Sequence, residues 1–212
     1  MKKYVLILSA VATLLPFRMY SQKFEGSQFC PIGYNLLAGK DFKSRMALVY
    51  PKLPGNMQNA DKIEYILTYS LYDILTRQLM DYLKVYIPPP TIFEDKVKYD
   101  QYGFPEVTVQ KAIKLSDAKY FFKCQIRVEE AFPNATPQGM VTPGISIQFT
   151  LYSKQGYVPI RNIVVNKVMS QAVKAEISLL AGLTSQEIVA EGPTLEGLMK
   201  ECVRELGMQI EK

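Results

Sequence analysis

The sequence predicts an α/β (α+β) domain. A single mixed sheet should carry a long helix over 61–84, a short helix over 107–115 and a C-terminal helix over 194–206 against it. Three patterns carry that expectation. Apolar residues recur with a period near 3.6 between Asn59 and Lys84. A period of two runs from Tyr120 to Glu129, with Phe121 the apolar member among its polar positions, and again from Ile145 to Tyr152. A second helical stripe closes the chain. Helices and strands in this order are most economically packed as one layered unit. At 212 residues the chain has the length of one domain, or of two small ones. A chain of this size buries about 70% of its unfolded surface and needs no disulfide or metal to hold together.

The first segment reads as a targeting sequence. Lys2 and Lys3 precede the apolar run Val5 to Phe17, and a short polar tail leads to Ser21-Gln22. This is the layout of a secretory signal peptide, residues 1–21. The apolar run is shorter than the ~20 residues that span a bilayer, and no later segment reaches that length. No lipobox-like cysteine lies beside the run. The expected address is the periplasm, with an extracellular one as the alternative. Removing Lys2, Lys3 and Arg18 lowers the basic count from 25 to 22 against 20 acidic residues, so the exported chain is nearly neutral at about +2.

The rest divides into an irregular N-terminal arm, 22–44, and a single domain, 45–212. Met46 to Tyr50 is a short apolar run ended by Pro51 and Pro54-Gly55, and reads as a first strand. In the long helix, Ile63, Ile66, Leu67, Leu71, Ile74, Leu75, Gln78, Leu79 and Leu83 form the stripe. Asp61 and Glu64 have capping-box spacing. Val85 to Ile87 reads as a brief strand stopped by Pro88-Pro89-Pro90. Residues 91–105 read as a loop, followed by the 107–115 helix. In the strand from Tyr120, Phe122, Cys124, Ile126 and Val128 share one face. Residues 131–144 read as a hairpin loop, Ile145 to Tyr152 as a strand, Lys154-Gln155-Gly156 as a turn, and Val158 to Val168 as another strand. Residues 172–180 fit a strand, with a helix as the alternative. Leu195, Leu198, Met199, Cys202, Val203 and Leu206 make the last helix, with Gly207 marking its end.

The composition excludes much chemistry. There is no histidine, so no Ser-His-Asp triad, Cys-His pair, HExxH zinc site or histidine general base can be assembled. No GxSxG, GxGxxG or GxxxxGK[ST] motif is present. The carboxylates Glu94, Asp95, Asp100, Glu106, Glu129 and Glu130 fall in or beside loops. A facing pair could run acid and base chemistry, but clustered loop charges usually make a solvated surface. The three cysteines Cys30, Cys124 and Cys202 show no CxxC spacing. Cys124 and Cys202 read as small apolar filler, and a bridge from Cys30 to either is open. Basic residues are dispersed, which argues against nucleic acid.

The remaining feature is aromatic. Tyr86, Pro88, Pro89, Pro90, Phe93, Tyr99, Tyr102 and Phe104 crowd the segment after the long helix. Such rings give rigid contact area at low entropic cost. They are the candidate binding surface; equally, they could seal the core beneath an irregular loop. The loop 131–144 is a second candidate.

Several stretches resemble a family of cell-envelope α/β domains. They are Met46-Ala47-Leu48-Val49-Tyr50-Pro51, the 61–84 helix leading into Leu83-Lys84-Val85-Tyr86, Ile113 to Tyr120, and Phe149 to Gly156. The family includes the N-terminal domain of the Tol-system β-propeller protein, the outer-membrane activators of penicillin-binding proteins and the periplasmic part of the curli-secretion channel. The resemblance implies protein recognition or envelope assembly, with no common catalytic residues to carry over.

The expected function is therefore that of a non-enzymatic periplasmic domain binding a protein or an envelope or outer-membrane component, with no cofactor and no metal. A small-ligand or glycan-binding protein is one alternative. A His-independent hydrolase or lyase using carboxylates with Tyr or Lys is the other.

Overall fold

A computed structural model describes residues 23–47, 59–175 and 193–212. The targeting segment, residues 48–50 of the expected first strand and most of 172–180 lie outside these residues.

The fold is a mixed four-stranded sheet with helices packed against it, as the patterning predicts. The sheet order is β1 (Phe29–Ala38), β4 (Tyr120–Glu130), β6 (Pro143–Ser153) and β7 (Pro159–Val168). β1 lies parallel to β4, whereas β4, β6 and β7 form an antiparallel meander. The parallel step needs a long crossover. It contains α1 (Lys40–Ala47), α2 (Asn59–Leu83), a 3-10 helix (Pro90–Lys96), the small β2 (Lys98–Tyr99) and β3 (Pro105–Glu106) pair, and α3 (Val109–Leu115). Short strands β5 (Met140–Val141) and β8 (Val173–Lys174) pair beside the sheet, and α4 (Leu195–Glu211) closes the chain.

The alternation of β4 and β6 decides which face is covered. Phe122, Cys124, Ile126 and Val128 join Ile145, Ile147, Phe149 and Leu151 beneath α2 and α4. From α2 come Ile63, Leu67, Leu71, Leu75, Leu79 and Leu83, and from α4 come Leu195, Met199, Cys202, Val203, Leu206 and Ile210. Thr68 and Thr76 are buried within α2 because their hydroxyls donate back to the carbonyls of Glu64 and Tyr72. A second, smaller core lies on the opposite face, where Cys30, Ile32, Phe93, Val107, Ala112, Ala118 and Phe121 pack together.

The expected irregular arm contains β1 and most of α1, and this corrects the reading of 22–44. β1 escapes recognition because its apolar residues follow no single period. Cys30 and Ile32 enter the smaller core, whereas Tyr34 and Leu36 enter the larger one. A register shift between Pro31 and Gly33 flips the strand between these faces. Met46, expected to open a strand, instead occupies the last turn of α1, one turn after Phe42, and both side chains are buried. Val85 to Ile87 makes only an isolated bridge, Gln28 to Tyr86. The loop expected over 91–105 holds the 3-10 helix and the β2–β3 pair.

The last helix also runs further than expected. Gly207 lies inside α4, which continues to Glu211. The glycine serves a close approach: a Cβ there would sit 2.5 Å from Cδ1 of Tyr82 on α2. Packing against α2, and not a need for positive φ, places glycine at this position.

Loop 131–142 is organised by one buried carboxylate. Glu130 accepts from the backbone N–H of Thr142 and Phe132 and from the hydroxyl of Thr136. Arg45 of α1 reaches across to the same loop, donating to the carbonyls of Pro133, Pro137 and Met140, with its Nε 3.8 Å from Glu130. We therefore expect Glu130→Ala to lower stability by about 3 kcal/mol, because buried donors lose their acceptor. Urea unfolding would measure it. Gly207→Ala should destabilise by about 1–2 kcal/mol through overpacking on Tyr82. In a Tyr82→Ala background the same change should stabilise by about 0.5–1 kcal/mol, the usual helical gain of Ala over Gly.

Candidate functional site

Among the described residues, the face of the sheet opposite α2 and α4 is covered at one end, by the smaller core. Beyond it the polar partners of the alternating strands stand in cross-strand rows. Asn35, Gln125, Gln148 and Val164 are register neighbours across β1, β4, β6 and β7. Beside them run Lys123, Thr150 and Asn162, and on the other side Leu37, Arg127, Ser146 and Asn166. Asn35, Leu37, Lys123, Arg127, Gln148, Asn162, Val164 and Asn166 are exposed. The period of two that sends apolar residues under the helices sends these outward.

The segment 100–108 rises beside this face and makes a groove of about 890 Å³. Its floor is Asn35, Leu37, Lys123, Gln125, Gln148 and Thr150. Its wall is Asp100 to Tyr102 and Pro105 to Thr108, and Glu64 of α2 lines it as well. The wall is held by its own chemistry. Asp100 Oδ1 accepts from the backbone N–H of Tyr102 at 2.9 Å and of Phe104 at 2.8 Å. Tyr69 of α2 donates its hydroxyl to the Tyr102 carbonyl, and Glu64 pairs with Lys43 at 2.6 Å. Tyr65 and Tyr69 lie tilted against each other along α2 with ring centroids 4.8 Å apart, both exposed, and form an aromatic ledge next to Tyr102.

The groove offers amides, a hydroxyl, an ammonium and carboxylates at fixed spacing. Such a lining recognises polar surfaces: extended backbone, polar side chains or sugar hydroxyls. Of its carboxylates, Glu64 is paired with Lys43 and accepts from the Tyr102 hydroxyl at 3.4 Å. Asp100 is committed to backbone donors, and Glu106 is exposed on the β2–β3 pair. The fully buried carboxylate Glu130 lies in the loop network and does not line the groove. Glu94 and Asp95 are exposed on the 3-10 helix, and Glu129 pairs with Arg127. Among the described residues, no group of three or more Cys, Asp or Glu side chains is placed to hold a metal ion.

The eight aromatic and proline residues singled out in the sequence are dispersed by the fold. Phe93 is 1% exposed within the smaller core, and Phe104 is 2% exposed against Tyr34 and Tyr72 in the larger one. Neither ring faces a partner; both seal the structure. Pro88 is buried and Tyr99 half-buried, and Pro90 opens the 3-10 helix. Tyr86 and Pro89 are exposed, Tyr86 at 58%. Of the eight, Tyr102 alone lines the groove. The floor residues were visible in the sequence as the polar half of each alternation. The missing information was that nothing among the described residues covers them.

All three cysteines are buried and free. Burial pushes the Cys30 thiol up to about 12, against a lesser lowering by Ser116, and Cys202 up to about 12, against Lys167. Burial raises Cys124 further. These are inert packing groups, not nucleophiles.

No family model and no curated protein matches the chain. Solved structures are similar at low identity. The hypothetical protein CT253 from Chlamydia trachomatis is 12% identical, covering 87% of this chain and 96% of that one, with a TM-score of 0.45. Lipoprotein GNA1162 from Neisseria meningitidis is 9% identical over 87% and 97%, with a TM-score of 0.41. The LpoB C-terminal domain from Salmonella enterica is 15% identical over 69% and 84%, with a TM-score of 0.33. These likenesses include one lipoprotein and reach no single family, and at such scores none assigns a function.

The thiols make a pH prediction. In the unfolded chain they ionise from an ordinary value of 9.0, whereas folded Cys30 and Cys202 stay protonated to about 12. The unfolded state binds fewer protons between these values, so stability is fully present below pH 9 and falls as pH rises toward 12. Urea midpoints measured across this window should decline. The decline should be shallower in Cys124→Ala.

Proposed function

We propose that the chain is an exported, non-catalytic domain that binds a protein or another cell-envelope component across the open face of its sheet. The observation that carries this reading is the uncovered row Asn35–Gln125–Gln148, which opens into the groove beneath Tyr102. Polar residues held on rigid strands pre-organise a recognition surface at little entropic cost. The envelope address rests on the N-terminal layout of Lys2, Lys3 and the Val5 to Phe17 run. Among the described residues no helix is long and apolar enough to cross a membrane. The absence of histidine and the engagement of Asp100 and Glu130 with backbone donors favour binding over catalysis.

A second reading has its own support. The groove is large enough for a sugar unit or two, and Tyr102 beside amides and a carboxylate suits a glycan. The two readings separate experimentally. Immobilised protein would be used to capture partners from envelope extract, alongside Gln125→Arg, Gln148→Glu and Tyr86→Ala variants. The face variants should lower recovery about tenfold, equivalent to about 1.4 kcal/mol, and Tyr86→Ala should leave it unchanged. Equal recovery from all four proteins would contradict the site. Calorimetric binding of envelope glycan fragments, lost in the Gln125→Arg protein and without any captured protein, would favour the glycan reading.

A further inference from the structure

We propose that β7 is a self-pairing edge and that two copies of the chain join through it, antiparallel, about a two-fold axis at Val164.

Among the described residues the outer edge of β7 is unpaired. The opposite edge is treated differently: β1 carries Pro31 and a register shift, and its Ile32 carbonyl accepts from Val107. Such devices normally protect an edge from pairing with another chain. β7 has them only at its start, in Pro159 and a shift beside Tyr152. From Arg161 onward the ladder is regular and the strand contains no proline. Its open face sets exposed apolar side chains between its asparagines: Val164 is 52% exposed and Val168 49%, with Asn162 and Asn166 alternating between them.

The order of residues identifies the occupant. Read outward from Val164, β7 is a chemical palindrome. Ile163 mirrors Val165, Asn162 mirrors Asn166, Arg161 mirrors Lys167 and Ile160 mirrors Val168. An antiparallel pair centred on Val164 places each residue opposite its own chemical kind. A two-fold interface uses the same patch on both subunits and requires this self-complementarity. On the open face, Val164 meets Val164 of the second copy and the asparagines pair as amides, up to the shift that skips Ile160. Cross-strand pairs of this sort are the unit of sheet stabilisation.

The one unfavourable pair is Arg161 opposite Lys167, since facing like charges destabilise. Both already have counter-groups on α4. Lys167 Nζ is 3.0 Å from Glu205, and Arg161 Nε donates to the Ile210 carbonyl near the negative end of the helix. The charges that would guard an open edge are thereby drawn to the helix side. The result is a continuous eight-stranded sheet in which the two polar faces adjoin. The dimer stands whether or not that face is the binding site.

Sedimentation of the purified protein between about 1 µM and about 1 mM tests the proposal across the range of weak to firm association. The expected result is a shift from one chain mass toward two. Val164→Lys should remain monomeric where the parent is dimeric, with an unchanged circular dichroism spectrum, since position 164 is exposed. Register is tested by mild oxidation, the native thiols being buried. Val164→Cys should cross-link to itself. Asn162→Cys should not, but should cross-link when mixed with Asn166→Cys. A single chain mass throughout would overturn the proposal. So would a dimer unaffected by Val164→Lys, or cross-linking at Val164 no faster than in Tyr157→Cys at the adjacent exposed turn.

Discussion

Covering one face of β4 and β6 is the constraint on which the rest of the structure depends. Eight side chains alternate onto that face, from Phe122 to Val128 and from Ile145 to Leu151. Each contributes about 1.5–3 kcal/mol when its larger members are fully buried, more than any local propensity in the neighbouring loops. Two helices meet the demand. α2 and α4 lie side by side on this face, and Gly207 lets them approach closely at Tyr82. Alternation then leaves no choice about the other face, where Lys123, Gln125, Arg127, Ser146, Gln148 and Thr150 must point outward.

The described residues of the crossover between β1 and β4 cover part of that second face. The switch at Pro31 and Gly33 gives β1 apolar side chains on both sides. Cys30 and Ile32 anchor α3 and the 3-10 helix at one end, and among the described residues nothing covers the rest of the face. The wall of the groove stands on Asp100, which holds the backbone of Tyr102 and Phe104, and on the Phe104 ring packed among Tyr34, Tyr69 and Tyr72. Positioning of the wall is thus a product of core packing. At the other end of the sheet, Glu130 and Arg45 fix loop 131–142 in the same manner, by binding backbone groups.

The elements with one clean period were legible in the sequence. α2, β4, β6, β7 and α4 each show a single buried stripe or face, and Thr108 caps α3 within a residue of its expected start. β1 and α1 were not legible, because one changes face midway and the other presents only Phe42 and Met46. Local rules favour Gly207 as a helix terminator; its actual cause is a ring on another helix, which no local pattern contains. The aromatic segment is ambiguous for the same reason. Tyr and Phe suit a recognition surface and a small irregular core equally well, and only the fold places Phe93 and Phe104 inside while leaving Tyr102 at the groove. The site itself was half visible: the polar positions are plain in each alternation, but their exposure follows from where the crossover helices end.

Hydroxyl-radical footprinting of the protein, alone and with solubilised envelope fraction, tests the central claim most directly. The account predicts protection of Leu37 on the sheet floor and Tyr102 on the groove wall, with Tyr86 and Phe132 oxidised as in the free protein. Protection confined to Tyr86 and the 131–144 loop, with Leu37 and Tyr102 unchanged, would contradict it.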